Sequence, residues 1–397
     1  MLPAVLELYV VWHPGDQLGR TIAQELRDHF QGSAYTGLIG GAVEVYIRSA
    51  PWSPGGGAPR PIPFPGRPWI NGVEPARYVA VLPILQPQLR RAVQFGDASW
   101  RAYAEELVAA ADRDREHVGV YPIGVHPGIG GRLAELFSRF QRVDTVGDGA
   151  RRSVALAQVL AQKLVGEDER ITVFVSHSRQ QAADDTEGTA ALTKQVRATI
   201  SDTHLRSFFD AADLQPGDDW REQLRAAAAR SAMLVLRGDM YASRPWCQEE
   251  IRIAKCSGMP IVVVDALQQG EERGSFLTDH LPRVPARVPG VERAEAIGRA
   301  LGILVDECLK RALWRRQQEV AGDFEVAWWA PHAPEALTLL DWLGRHPDRG
   351  AGRLLVLHPD PPLGRPERMV LNDLAVAAGV DDGIDILTPR GLAARGG

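Results

Sequence analysis

Three stretches of this sequence share one design, an apolar run that stops at a histidine. They are LELYVVWHP (6–14), ITVFVSHS (171–178) and RLLVLHPDPP (353–362). Short runs of this kind, rich in branched side chains, suit strands covered on both faces. That means a parallel sheet with helices above and below it. The first two runs lead into helical patterns, so the chain reads as repeated α/β units.

Residues 1–147 form the first unit on this reading. After the opening strand come helix GRTIAQELRDHF, strand VEVYIRS, a Pro/Gly-rich loop from Ala50 to Trp69, strand YVAVLPIL, helix SWRAYAEELVAAADRD and strand HVGVYPIGV. HPGIGGRL (126–133) is a plain turn, because Leu133 stands where a GxGxxG phosphate loop needs its third glycine. A helical connector spans 148–167. Residues 168–320 are the middle domain, with strands ITVFVSH, LRSFFD, SAMLVLRG and PIVVVDAL. Its helices are expected over 188–203, 218–230 and 244–257, the second starting at the cap-like pair Asp219 and Glu222. The charged helix ALGILVDECLKRALWRRQQEV closes it. The small α/β segment 323–397, with strands EVAWWAP, RLLVLHP and IDILTP, is too short for a complete sheet and is expected to pack on a neighbour.

The formal net charge of −5 and a pI near 6.1 argue against an electrostatic grip on nucleic acid or anionic lipid. No apolar run is long enough to span a bilayer, and MLPAVLELYVVWHPGD has neither a basic leader nor a cleavage site. Cytoplasmic residence is the expectation. The cysteines, Cys247, Cys256 and Cys308, are odd in number and form no CxxC, so they read as packing residues in a reducing compartment. HExxH, GxxxxGK[ST] and GxSxG are all missing, which leaves no metal motif, no P-loop and no nucleophile elbow.

One helix carries a misplaced charge. In RPWCQEEIRIAKC (244–256), Trp246, Cys247, Ile251, Ile253 and Ala254 project into one arc of roughly 160° at helical spacing. Gln248, Glu249, Arg252 and Lys255 project away from it. Glu250 falls inside the apolar arc. Glu249 has Arg252 three positions on; Glu250 has Ile253 and Ala254 there instead. Desolvation at such a place raises a carboxyl pKa and makes it chemically useful. A buried glutamate hydrogen-bonded to a neighbouring strand or loop accounts for the helix equally well. Ligands of open α/β sheets bind beyond the carboxyl ends of the strands. Those ends carry Ser176, His177, Ser178 and Arg179, then Asp210 with the loop AADLQPG, then Arg237, Gly238 and Asp239.

Taken in order and spacing, VFVSHS, FFDAADLQPGDDW, MLVLRGDMYASRPWCQEEI and MPIVVVDAL resemble a bacterial TIR (Toll/interleukin-1 receptor) domain over about residues 170–270. The resemblance implies a flavodoxin-like parallel sheet. Many members cleave NAD at the nicotinamide–ribose bond; others are non-catalytic adaptors that mediate assembly. In the cleaving members the essential glutamate closes a Trp-x-x-x-Glu pattern, here Trp246 to Glu250. The resemblance thus implies Glu250 as the catalytic carboxylate, and His177, Ser178, Arg179, Asp210 and Trp246 as contacts to NAD. NAD is then a substrate, with no cofactor and no metal. It also implies self-assembly through the loop bearing Leu214 and Pro216, activation by that assembly, and a place in bacterial antiphage defence or signalling. The N-terminal unit has a similar order of elements, and SWRAYAEEL partly resembles RPWCQEEI. Its counterpart of Glu250 is Ala104, while Glu105 projects outside the arc of Trp100, Ala104, Leu107 and Ala111. It reads as a TIR-like or Rossmann-like module without NAD cleavage.

Overall fold

The computed structural model describes residues 4–32, 35, 43–52, 57–67, 74–96, 98–124, 130–143, 149–166, 171–178, 189–201, 203, 205–208, 221–222, 231–271, 273–286, 291–321, 325–348, 352–359 and 361–395. The chain divides into two compact units. One comprises Met1–Leu160, Leu313–Phe324 and Pro389–Gly397; the other comprises Ala161–Ala312 and Glu325–Thr388. Among the described residues no helix is long and apolar enough to cross a membrane.

The first unit is built from β1 (Leu6–Val11), α1 (Gln17–Phe30), β2 (Val43–Arg48), β3 (Tyr78–Leu85), α2 (Pro87–Arg91), α3 (Ala98–Arg113), β4 (Val118–Val120), β5 (Ile123–Gly124) and α4 (Arg132–Phe137). Its strands are parallel in the order β2-β1-β3-β4, with β5 also on β3. All residues of β1 and β3 are buried, as expected of central strands covered on both faces. HVGVYPIGV forms two short strands instead of one. Pro122 lies between them, and proline has no N–H to give a ladder. Trp100, Ala104, Leu107 and Ala111 of α3 are all buried against Tyr9, Val11, Val79 and Val81. Glu105 faces outward and pairs with Arg132 at 2.6 Å. The Pro/Gly-rich loop after β2 is fastened onto α3. Ile62 and Phe64 enter the same core, Ala58 N–H donates to Ser99 Oγ at 2.9 Å, and Tyr103 O–H donates to the Arg60 carbonyl at 3.3 Å.

A helix, α5 (Gly149–Val165), leads from this sheet to the next. The second unit contains β6 (Thr172–His177), α6 (Thr189–Ser201), β7 (Arg206–Phe208), β8 (Ser231–Arg237), α7 (Pro245–Cys256), β9 (Ile261–Asp265) and β10 (Arg283–Pro285), followed by α8 (Val291–Val320), whose end from Leu313 belongs to the first unit. The strands are parallel in the order β7-β6-β8-β9-β10. Numbered within the sheet this is 2-1-3-4-5, the flavodoxin-like order, as expected. Its core joins Phe174, Met233, Val235 and Val263 to Cys247, Ile251 and Ala254 of α7. Two elements escape the sequence pattern. The strand β10 is only Arg-Val-Pro, and α8 begins at Val291 instead of near Leu301, its first turns being dominated by charge. The helix expected over 218–230 lies outside the described residues, apart from Arg221 and Glu222.

The C-terminal segment forms a small parallel sheet in the order β11-β12-β13. Its elements are β11 (Trp328–Trp329), α9 (Ala336–Arg345), β12 (Leu354–Leu357), α10 (Arg365–Ala377) and β13 (Ile384–Leu387). It has a core of its own, which includes Leu339, Leu343, Val356, Leu371, Ala375 and Ile386. It also meets the end of α7. Lys255 is 3% exposed, and its Nζ donates to Glu335 Oε2 at 2.8 Å and to the Asp279 carbonyl at 2.9 Å. Arg345 donates to the Cys256 carbonyl at 2.9 Å.

Candidate functional site

The strand order reverses between β6 and β8, and open α/β sheets bind their ligands beyond the carboxyl ends of the strands at such a place. Three side chains from three elements meet at that place. Ser176, next to last in β6, is buried. Tyr241, from the loop after β8, is buried with it. Glu250, from the second turn of α7, is half-buried. Ser176 Oγ donates to Glu250 Oε2 at 2.5 Å and lies 2.6 Å from the Tyr241 hydroxyl. Burial, with smaller contributions from Cys247 and Glu250, pushes the Tyr241 phenol well above its ordinary pKa, against the opposing effect of its hydrogen bond with Ser176. The tyrosine therefore keeps its proton and can act as the donor at the head of this row.

The floor beside this row is braced by charge. Arg237, last in β8, is buried and forms two hydrogen bonds to Glu271, at 3.1 Å and 2.5 Å, with Asp265 of β9 at 3.7 Å. The hydrogen bonds to Glu271 hold its guanidinium pKa up. Asp239 accepts the backbone N–H groups of Gln268, Gln269 and Gly270 at 2.9, 3.0 and 3.1 Å. Both residues thus tie the loop after β9 to the loop after β8. Their partners account for them structurally.

Helix α7 starts with Pro245 at its first position, where the missing N–H costs nothing. It is terminated just past Cys256 by Gly258 (φ +63°), with Met259 N–H donating back to the Ala254 carbonyl at 2.9 Å. Its buried face consists of Cys247, Ile251, Ile253, Ala254 and Lys255. This corrects the sequence reading at two points. Trp246 is 59% exposed, sits in the first turn, and has the Arg221 guanidinium 5.4 Å over its ring. Lys255 is buried instead of solvated, because Glu335 supplies a partner that helical periodicity does not reveal. Glu250 consequently lies at the border of the buried face. Glu249 behaves as an ordinary surface acid. It forms two hydrogen bonds to Arg252 at 2.7 and 2.8 Å and has Arg221 at 3.6 Å.

The structure brings Glu250, Ser176 and Tyr241 together. It places His177 half-buried and Ser178 buried just beyond them in sequence. Arg179, Asp210, Leu214 and Pro216 lie outside the described residues. Among the described residues no group of His, Cys, Asp and Glu could hold a metal ion. Sequence reasoning named Ser176 only as a strand-end residue and passed over Tyr241. Ser176 was visible as a hydroxyl directly after the apolar run Val173–Val175. Tyr241 gave no signal beyond its aromatic character.

The three strand-end histidines meet three different fates. His13 is half-buried, and its Nδ1 accepts the Gly15 N–H at 3.1 Å. His177 is half-buried at the carboxyl end of β6. His358 is 1% exposed, with Nδ1 2.7 Å from the Pro359 carbonyl, which requires a proton on that nitrogen. Burial pushes its pKa down to about 4.

Residues 173–281 match the family model described as TIR domain, about a quarter of the chain. This segment is a TIR domain. The match runs from β6 past β9 and a short 3-10 turn at Phe276–Thr278, and includes Ser176, Tyr241 and Glu250. No curated protein matches the chain. A solved structure described as a two-component system response regulator/GGDEF domain protein aligns with 75% of this chain and 96% of its own, at 13% identity and a TM-score of 0.25. That likeness is too slight to bear on the fold. Outside the TIR domain, the first unit and the C-terminal segment stand on their own geometry.

Proposed function

We propose that the TIR domain is an NAD glycohydrolase that cleaves the nicotinamide–ribose bond, with Glu250 as its catalytic carboxylate. The observation that carries this reading is Glu250 itself, a half-buried acid anchored by a buried serine at the switch point of the sheet. Departure of nicotinamide leaves a positively charged, oxocarbenium-like ribose. A fixed carboxylate beside C1′ stabilises that charge, and more so in a partly desolvated crevice than in water. Water then takes the C1′ position and gives ADP-ribose; capture by a group of the same molecule gives a cyclic product. The exposed face of Trp246, one turn before Glu250, offers a stacking surface for a planar ring. His177, Ser178, Arg179 and Asp210 are the proposed contacts to the rest of the dinucleotide. NAD is a substrate here, and no cofactor or metal is part of the reaction.

The same reading includes activation by self-assembly through the loop bearing Leu214 and Pro216, in a cytoplasmic defence or signalling role. A head-to-tail contact of that kind can propagate instead of closing. The test is incubation of the purified full-length chain with NAD at rising protein concentration, with free nicotinamide measured. Specific activity is expected to climb more than linearly, and Leu214→Asp to suppress that climb. Absence of nicotinamide release at every concentration would leave the non-catalytic adaptor as the reading.

A further inference from the structure

Resting on that reading, we infer that Ser176 and Tyr241 are positioning residues, a buried two-hydroxyl relay that fixes the orientation of the Glu250 carboxylate. Proton counting sets the direction of the relay. An ionised carboxylate only accepts, and each hydroxyl has a single hydrogen. With Ser176 2.5 Å from Glu250 Oε2 and 2.6 Å from the Tyr241 oxygen, both contacts are made only if tyrosine donates to serine and serine donates to glutamate. Tyr241 and Ser176 are each 1% exposed, so water does not compete for either hydrogen. The serine belongs to a central strand and pairs in parallel with Val235 of β8, while the start of the same strand, Thr172–Phe174, pairs with β7. The relay therefore ties a helix side chain to a central strand of the sheet. Hydrogen bonds in such a row polarise one another, so the tyrosine strengthens a contact it does not itself make.

A relay predicts a pattern of losses that packing does not. In the full-length protein Ser176→Ala should lower kcat for nicotinamide release about tenfold, the loss of one hydrogen bond to a charged group, with KM little changed. Tyr241→Phe keeps the ring and removes one oxygen; it should lower kcat about threefold, as for a neutral hydrogen bond. The double variant should be no slower than Ser176→Ala alone, since the tyrosine acts only through the serine. Losses that multiply in the double variant, or that appear in KM alone, would overturn the relay. Tyr241→Phe retains the buried ring and guards against a serine variant that fails to fold. A second readout separates this inference from the NAD reading. If the wild-type protein releases no nicotinamide, the NAD reading falls, and the relay is decided by carboxyl 13C NMR of labelled glutamate. The Glu250 signal, identified by its disappearance in Glu250→Gln, should move in Ser176→Ala and by less in Tyr241→Phe. A signal unmoved by both would overturn it.

Discussion

The first four strands of the two larger sheets follow the same order, with opposite chemistry at corresponding positions. Counted along the first strand of each, Val10 of β1 stands where Ser176 stands in β6. Counted from the tryptophan of α3 and of α7, Ala104 stands where Glu250 stands. Val10 is 0% exposed and Ala104 is 4% exposed, so in the first unit this place is simply core. The tryptophans differ in the same sense: Trp100 is 2% exposed and Trp246 is 59% exposed. The first unit also fastens the loop after β2 over α3, with Ile62 and Phe64 in the core. This fold is therefore complete without a polar residue at either position. A serine and a glutamate there desolvate polar atoms, which is tolerable only because each is hydrogen-bonded. Local departures from the requirements of folding are expected where a protein does its work.

The comparison can be broken most forcefully by writing the TIR residue into the first unit. Ala104→Glu buries a carboxylate with valine, not serine, at the corresponding strand position. It should cost about 3 kcal/mol or more in urea denaturation and bring no NAD cleavage. A cost below about 1 kcal/mol would mean that the fold accepts an acid there without a partner, and Glu250 would lose its distinction.

The strand-end histidines sharpen the contrast between core and crevice. The folded-state pKa of His358 is pushed down to about 4 by burial, below the ordinary histidine value. Between the two values the unfolded chain binds the proton that the folded chain refuses. Stability is therefore present above about pH 6.5 and is lost as pH falls toward 4, by up to about 3 kcal/mol. Denaturation of His358→Gln followed over that window should show a flatter loss. An unchanged slope would contradict the burial argument. Smallest of all is Glu249→Gln, which removes a half-exposed pair with Arg252 and should change stability by less than about 1 kcal/mol.

Much of this was legible in the sequence because the determining signals are local. Continuous apolar runs announced β1, β6, β8, β9 and β12, and the period of SWRAYAEEL placed Trp100, Ala104 and Leu107 in the core with Glu105 outside. Glu250 was legible as a charge at odds with its neighbours on the helix. What escaped depends on contacts between segments far apart in the chain. Lys255 is buried because Glu335 meets it, 80 positions away. Ser176 matters because Tyr241 and Glu250 converge on it from elements 65 and 74 positions distant. Periodicity within one helix or strand contains neither fact. The three-residue strand β10 was too short to leave a pattern at all.

The central claim is that the chain has one reactive carboxylate at the switch point of its TIR sheet, and none at the matching place in the first unit. Nicotinamide release from NAD by full-length wild type, Glu250→Gln and Glu249→Gln, at one high protein concentration, tests it most directly. The account predicts that Glu249→Gln matches wild type, while Glu250→Gln loses about a hundredfold or more, with the fold intact by melting temperature and no residual activity from the first unit. Glu250→Gln as active as wild type would contradict it.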